Sequence, residues 1–361
     1  MSRAGRRPPP RRSTELSLTT SPPVPEARAP AAGRRMTRAA GLAAAAGVLL
    51  VLVLLSLAVG AKPLSPGEVW RGLVDEASSG YPVVHQMRLP RTLLGLLVGM
   101  ALGLAGAVMQ SLTRNPIADP GLLGISAGAA AAVVSAISFL GIVSFLGFVW
   151  FALAGAGAVA VVLYAVGGGR NATPARLALA GAALNAALYS YVNAVQLLDT
   201  VSLDRMRFWT VGSLAAAQGD TVVRVAPFIA LGLVLALALA RPLNALTMGD
   251  DAARALGTSP GRTRAVGIVT VTLLCGAATA ACGPIVFVGL MVPHLVRALT
   301  GPDLRWLLPY CAVLSPAIML GADVLGRVLA RPSEVQVGIV TAVLGGPVFL
   351  HFIRRRRAVN S

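Results

Sequence analysis

The sequence predicts an all-α, polytopic membrane protein with about ten transmembrane helices, and three observations carry that expectation. The 361 residues are 56% hydrophobic and only 12% charged, where an ordinary soluble domain carries about 25% charged residues. Uncharged runs recur at bilayer length: Thr92–Thr113 has 22 residues, Pro120–Gly169 has 50 and Ala265–Val296 has 32. A hydrocarbon core of about 30 Å takes roughly 20 helical residues. The basic residues are distributed to match. Formal net charge is +17, yet 13 of the 31 basic residues fall in the first 38 or last eight positions, and most others flank apolar runs. That is the charge pattern of membrane topology; no nucleic-acid partner is expected.

Residues 1–38 are rich in Arg, Pro and Ser and poor in apolar residues, so a disordered cytosolic tail is expected, followed by a permease domain over 39–361. Ala39–Ala61 reads as the first crossing. Its apolar stretch exceeds the h-region of a secretory signal, which favours a retained helix. A polar segment, 62–87, precedes the second crossing, Thr92–Thr113. Gly95, Gly99 and Gly103 recur there every four residues. Such a smooth stripe lets another helix approach closely, which predicts a buried central helix.

The 50-residue run suits two crossings broken near Gly141–Gly147. Gly167–Pro174 is a loop and Leu177–Leu198 the fifth crossing. A short surface helix is expected within Asp199–Asp220, then a sixth crossing over Val225–Ala240. Gly283-Pro284 splits Ala265–Val296 into the seventh and eighth, because proline disrupts the helical ladder. Trp306–Ala322 and Val335–Ile353 are the ninth and tenth. An even number of crossings puts both termini on one side. With the arginine-rich tail inside, 22 basic residues are cytosolic and nine are outside, which predicts an N-in, C-in protein of the plasma or inner membrane, in contact with lipid.

Several functions are excluded. Lys62 is the only lysine and lies in Ala-Lys-Pro-Leu, so no Gly-Lys-Ser/Thr phosphate loop exists and ATP hydrolysis falls to another chain. The three cysteines sit in apolar runs without a Cys-x-x-Cys, and His294 has no second ligand at metal spacing. No metal, cofactor or catalytic residue is expected.

Two blocks carry a specific resemblance. The first is Arg88-Leu-Pro-Arg91, then Gly106-Ala-Val-Met-Gln110, Asn115-Pro116, Asp119-Pro-Gly-Leu-Leu-Gly124 and Ser126-Ala-Gly-Ala-Ala130. The second is Gly283-Pro-Ile-Val-Phe-Val-Gly-Leu-Met-Val-Pro-His294 with Arg297, Gly301, Asp303 and Arg305, continued by Asp323, Arg327, Glu334, Gly338, Gly345 and Pro347. The chain resembles the FecCD-type permeases of ABC importers for iron-siderophores, haem and vitamin B12, over residues 62–353. Pro284 and Leu304 depart from the family pattern at positions without an assigned role.

The resemblance implies partners: ABC ATPase subunits inside, an extracytoplasmic substrate-binding protein outside, and a second permease subunit. It implies that Arg88, Arg91 and Arg327 meet acidic residues of the binding protein; topology alone also allows them to be interface anchors. It implies that Asp250, Asp251, Ala253, Arg254, Leu256 and Gly257 form a short coupling segment seated on the ATPase. Composition independently gives that loop a helix ended by glycine. Asn185, Tyr189, Asn193 and Gln196 share a face of the fifth crossing, either for interhelical hydrogen bonds or to line a path. The resemblance favours the path, with Thr173 and Pro174 at a cytosolic gate. Asp323 and Arg327, four apart, are placed for an ion pair.

The expected function is a non-enzymatic permease importing a ferric siderophore, with haem or vitamin B12 as alternatives. An ion-driven secondary transporter would need intramembrane acids or discontinuous helices, and the predicted crossings contain no such acids.

Overall fold

The computed structural model describes residues 31–60, 63–142, 144–166, 174–207, 209–215 and 217–359. Among these every regular element is helical. α1 (Ala31–Ala58) begins eight residues before the expected tail boundary, so residues 31–38 belong to the helix. α2 (Pro66–Val74) opens with a capping box: Glu68 N donates to Ser65 Oγ at 3.3 Å, and Ser65 N donates to Glu68 Oε2 at 2.7 Å. Each bond satisfies an otherwise orphaned donor.

A π-helical turn, Val83–Arg88, leads into α3 (Leu89–Leu112). Pro90 stands in the first turn of α3, where its missing N–H costs nothing. α4 (Ile125–Leu140) and α5 (Phe145–Val166) divide the long apolar run at the predicted break. α6 (Pro174–Leu198) and the short α7 (Thr200–Met206) follow as expected. α8 (Gly219–Ala238), α9 (Ala240–Thr247) and α10 (Asp250–Ala255) lead to α11 (Pro260–Cys282), α12 (Val288–Thr300), α13 (Leu304–Leu329) and α14 (Val337–Val359).

Six helices are long and apolar enough to cross a membrane: those at α1, α3, α6, α8, α11 and α13. The helices at α4, α5, α12 and α14 are apolar but shorter within the described residues. α13 runs seven residues past the predicted end at Ala322. The charges that ended the expected crossing, Asp323 and Arg327, pair with each other at 2.7 Å, so they need not leave the helix.

α3 is the hub. The span containing it is 78% buried, whereas those of α1 and α6 are each 17% buried. Its glycine stripe lies along α13. A Cβ on Gly95 would stand 2.7 Å from Leu320 Cδ2, one on Gly99 2.6 Å from Pro316 Cα, and one on Gly103 would collide with Ser315. Gly106, on the next turn, abuts the backbone of Gly289 in α12. Close helix approach through small residues substitutes for the hydrophobic driving force that lipid cannot supply.

α4 and α12 are the unusual elements. α12 has 13 residues, about 20 Å of helix, and starts at Phe287, whose φ of +71° is uncommon for a bulky side chain. Its neighbour Gly289 packs on the middle of α3, so α12 begins inside the bundle. The turn before α4 also enters the bundle, carrying Asp119, only 3% exposed. Two acids just outside the predicted crossings, Asp119 and Asp323, are nevertheless buried within the protein. Neither is an unsatisfied charge: Asp119 Oδ1 accepts the N–H groups of Gly121 (2.9 Å) and Leu122 (3.1 Å).

Candidate functional site

Polar machinery collects at the two ends of α3. At its N-terminal end the structure brings Arg88, Arg91 and Arg327 into one cluster, turned inward. Arg88 and Arg327 are each 5% exposed. Arg88 Nη1 donates to the carbonyls of Leu57 (2.5 Å) and Ala58 (2.9 Å). Arg327 Nη1 donates to those of Ser56 (2.9 Å) and Val59 (2.8 Å). Two guanidiniums thus cap the last turn of α1, where orphan carbonyls and the negative end of the helix dipole favour cations.

Arg91 bridges to acids instead. Its Nη2 lies 2.7 Å from Asp323 Oδ1 and its Nη1 2.8 Å from Glu334 Oε2. Arg327 completes the set through Asp323 Oδ2 at 2.7 Å. Ser56 Oγ and Thr92 Oγ1 hydrogen bond at 2.8 Å within the cluster. Glu334, 31% exposed, is the part of the acid set that reaches the surface. Glu334 was legible as a motif residue but not as a partner, because it approaches Arg91 from the turn after α13.

At the opposite end, α10 forms as predicted. Gly249 (φ +109°) precedes it and Gly257 (φ +75°) follows it, both in backbone regions that suit glycine. Asp250 Oδ1 receives Arg264 Nη2 at 2.7 Å and Arg114 Nη2 at 3.0 Å. The hydrogen bond from Arg264, helped by the charges of Arg114 and Arg254, holds the Asp250 carboxyl below its usual range. Asp251 pairs with Arg254 at 2.7 Å. Of the expected apolar side, Ala253 is fully buried, whereas Leu256 is 63% exposed, as is Met248 just upstream (69%). Two exposed apolar side chains, Met248 and Leu256, therefore flank the charged α10. Beside it, Asn244 Nδ2 of α9 donates to Asp303 Oδ1 (2.7 Å) at the start of α13. Hydrogen bonds from Arg305 keep the Asp303 carboxyl down at about 2.

The polar residues of α6 divide. Asn193 is exposed, while Gln196 is buried and Asn185 and Tyr189 are half-buried. Asn185 Oδ1 and Gln196 Nε2 are buried without a hydrogen-bond partner among the described residues. The Tyr191 hydroxyl, on the neighbouring face, hydrogen bonds to Ser135 Oγ of α4 at 2.6 Å. Thr173 lies outside the described residues, and Pro174 opens α6. Among the described residues no group of three or more His, Cys, Asp or Glu could hold a metal ion, and Cys275, Cys282 and Cys311 are buried and unbridged.

A helical bundle of apolar spans, with a charged cluster at one end and a short exposed helix at the other, defines a multi-pass membrane transport subunit. The FecCD transport family profile matches residues 48–355, and this chain belongs to that family. It is 44% identical over 316 residues to the ferric enterobactin transport system permease protein FepD of Escherichia coli, covering 86% of this chain and 94% of that protein. It is 38% identical over 319 residues to the hemin transport system permease protein HmuU of Yersinia pestis, covering 87% and 95%. Among solved structures, an inward-facing metal-chelate type ABC transporter superposes with a TM-score of 0.75 at 28% identity, covering 88% of this chain and 99% of that one. The chain is thus a permease subunit of an ABC importer in the cell membrane and not an enzyme. A permease of this kind works with ATPase, substrate-binding and second permease subunits.

Proposed function

We infer that this permease carries a ferric siderophore into the cytoplasm; the 44% identity to a ferric enterobactin permease over nearly its full length is the observation that carries the reading. Haem is the second reading, favoured by the 38% identity to a hemin permease. Uptake of radiolabelled ferric enterobactin and haem by vesicles holding the complete transporter separates the two. Haem uptake without ferric siderophore uptake would overturn the first reading.

On this reading both termini are cytosolic, the helices at the ten apolar positions cross the bilayer, and residues 1–30 lie inside. The binding protein docks at the α1–α3–α13 end, with Arg91 and its partner Glu334 nearest the surface and Arg88 and Arg327 supplying buried positive charge beneath. Burial rules out charge reversal at these arginines as a clean test. Salt titration of the intact complex replaces it. Affinity for the binding protein is expected to fall several-fold between about 0.05 and 0.5 M salt, as rim electrostatics are screened. A salt-independent affinity would remove the arginine end as the docking site.

The ATPases seat on α10, with Leu256 and Met248 as apolar contacts and Asp250, Asp251 and Arg254 as polar ones; Ala253 anchors α10 to the bundle. Gly257 is open to solvent, and a Cβ there meets nothing within 4 Å. Gly257→Arg therefore strains only the local backbone, by about 1–2 kcal/mol, and leaves the bundle intact. Its expected effect is continued ATP hydrolysis with uptake reduced about tenfold or more. Normal uptake in that variant would remove α10 as the coupling element.

The path runs beside α6, the span least enclosed by its own chain apart from α1, with Asn193 facing the second permease and Asn185, Tyr189 and Gln196 bordering it. Thr173 and Pro174 stand at its cytosolic mouth as the gate.

A further inference from the structure

Arg114 stands in the turn after α3 with φ +48°, a region that few side chains other than glycine adopt. From there its Nη2 reaches Asp250 Oδ1 at 3.0 Å. Asp250 is also held by Arg264, whose Nη1 and Nη2 donate to Oδ2 (3.0 Å) and Oδ1 (2.7 Å). One carboxylate thus ties α10 to two elements, the first turns of α11 and the loop 113–124.

The two tethers lead to different places. Arg264 is fixed on a long helix packed in the bundle. Arg114 heads a loop that enters the bundle, turns on Asp119, and delivers Leu123 and Gly124 against α6. A Cβ on Gly181 would stand 2.9 Å from Leu123 Cα, and one on Gly124 3.3 Å from Asn185 N. The loop backbone therefore bears directly on α6 at Gly181 and Asn185. Asn185 also has a buried side-chain oxygen without a hydrogen-bond partner among the described residues. From Asp250 the link passes through the ion pair to Arg114, along a loop tightened by the Ala118 N to Asn115 O and Leu123 N to Asp119 O hydrogen bonds, to Leu123 and Gly124 packed on α6.

We propose that the Arg114–Asp250 ion pair is the link through which movement of α10 reaches the loop 113–124 and, through it, α6. Arg114 is a positioning residue that acts through Asp250 and its own loop. The inference rests on the reading of α10 as the ATPase contact. Arg114 is 44% exposed and Asp250 21%, and a pair this open adds little to stability. Its effect is to make two elements move together, since a displaced α10 carries the carboxylate and the guanidinium follows it. Spatial continuity alone does not establish coupling, so the test measures coupling itself.

Arg114→Gly suits the test because φ +48° is a conformation glycine adopts freely, and Arg264 still holds Asp250. The complete transporter is reconstituted in vesicles, and ATP hydrolysis and substrate uptake are measured in the same preparation. The expected result for Arg114→Gly is near-normal hydrolysis with uptake per ATP lowered at least about fivefold, the low end of ordinary coupling between sites. Arg114→Lys, which keeps a cation, recovers most of that ratio. In an Asp250→Asn background Arg114→Gly lowers the ratio no further, because the shared interaction is already gone. Unchanged uptake per ATP in Arg114→Gly, or effects of the two substitutions that simply multiply, would overturn the proposal. Gly257→Arg distinguishes the levels. If it uncouples while Arg114→Gly does not, the ion-pair link alone fails; if both couple normally, the assignment of α10 fails with it.

Discussion

Replacing Gly99 by leucine is expected to abolish most of the folded protein. A Cβ at that position would stand 2.6 Å from Pro316 Cα, 2.9 Å from Pro316 N and 3.0 Å from Met319 Cβ. Two of those atoms are backbone, inside a helix that cannot step aside without opening its whole contact with α3. Leucine adds three further carbons at the same point. Ordinary overpacking costs about 1–3 kcal/mol, and a clash against backbone in the central pair lies at or beyond the top of that range. Gly47→Ala, inside α1, is the control, since a Cβ there meets nothing within 4 Å and alanine suits a helix interior better than glycine. Thermal melting in detergent, followed by size-exclusion profile, should show near-complete loss for Gly99→Leu and little change for Gly47→Ala. A wild-type melting profile for Gly99→Leu would mean that α3 and α13 do not pack as described.

The second large effect is expected at Asp323. This carboxylate is 1% exposed and is shared by Arg91 and Arg327. Asp323→Ala removes the acid that pairs with Arg327, the only one that does so among the described residues, and Arg327 is itself 5% exposed; three arginines are then left in one cluster with Glu334. Breaking a buried pair from one side costs about 3–5 kcal/mol, because the remaining charge is stranded. Much of the loss should appear as release of α1, whose terminal carbonyls Arg327 holds. Glu334→Gln offers the contrast: its carboxylate is 31% exposed and pairs only with Arg91 among the described contacts, so a loss of about 1 kcal/mol or less is expected. Melting temperatures of the two variants, with protease accessibility of the α1–α2 connection, check both statements. Equal, small losses would show that the cluster is solvated and does not clamp α1.

Six of the predicted crossings were legible as long apolar helices because lipid imposes a simple demand: about 20 apolar residues per span, with charges kept to the ends. The surface helix after α6 and the glycine stripe on α3 were legible for related reasons, one from a polar stretch with apolar residues in it, the other from a strict four-residue period. The end of α13 was not. A rule that stops a span at the first charge cannot foresee that Asp323 and Arg327 neutralise each other on one helix face and go on inward. Asp119 was missed for a similar reason. Asp-Pro-Gly reads as a surface turn, and only the folded chain shows that turn drawn into the bundle with its carboxylate satisfied by the next two free N–H groups.

The candidate sites divide along the same line. Composition, run length and motif wording by themselves determined that this is a helical membrane permease, that it carries no phosphate loop for ATP, and that a short helix closed by glycine follows Gly249. These are local properties, written in consecutive residues or in fixed periods. Tertiary structure alone decided that Arg88 and Arg327 face inward onto α1, that Glu334 and Asp323 satisfy Arg91, that the polar residues of α6 part between a packed and an open side, and that Arg114 reaches Asp250 across 136 positions of sequence. Each of these depends on the distance between residues far apart in the chain, and no pattern within a single segment encodes such a distance; it is set by how small residues let the helices close upon one another.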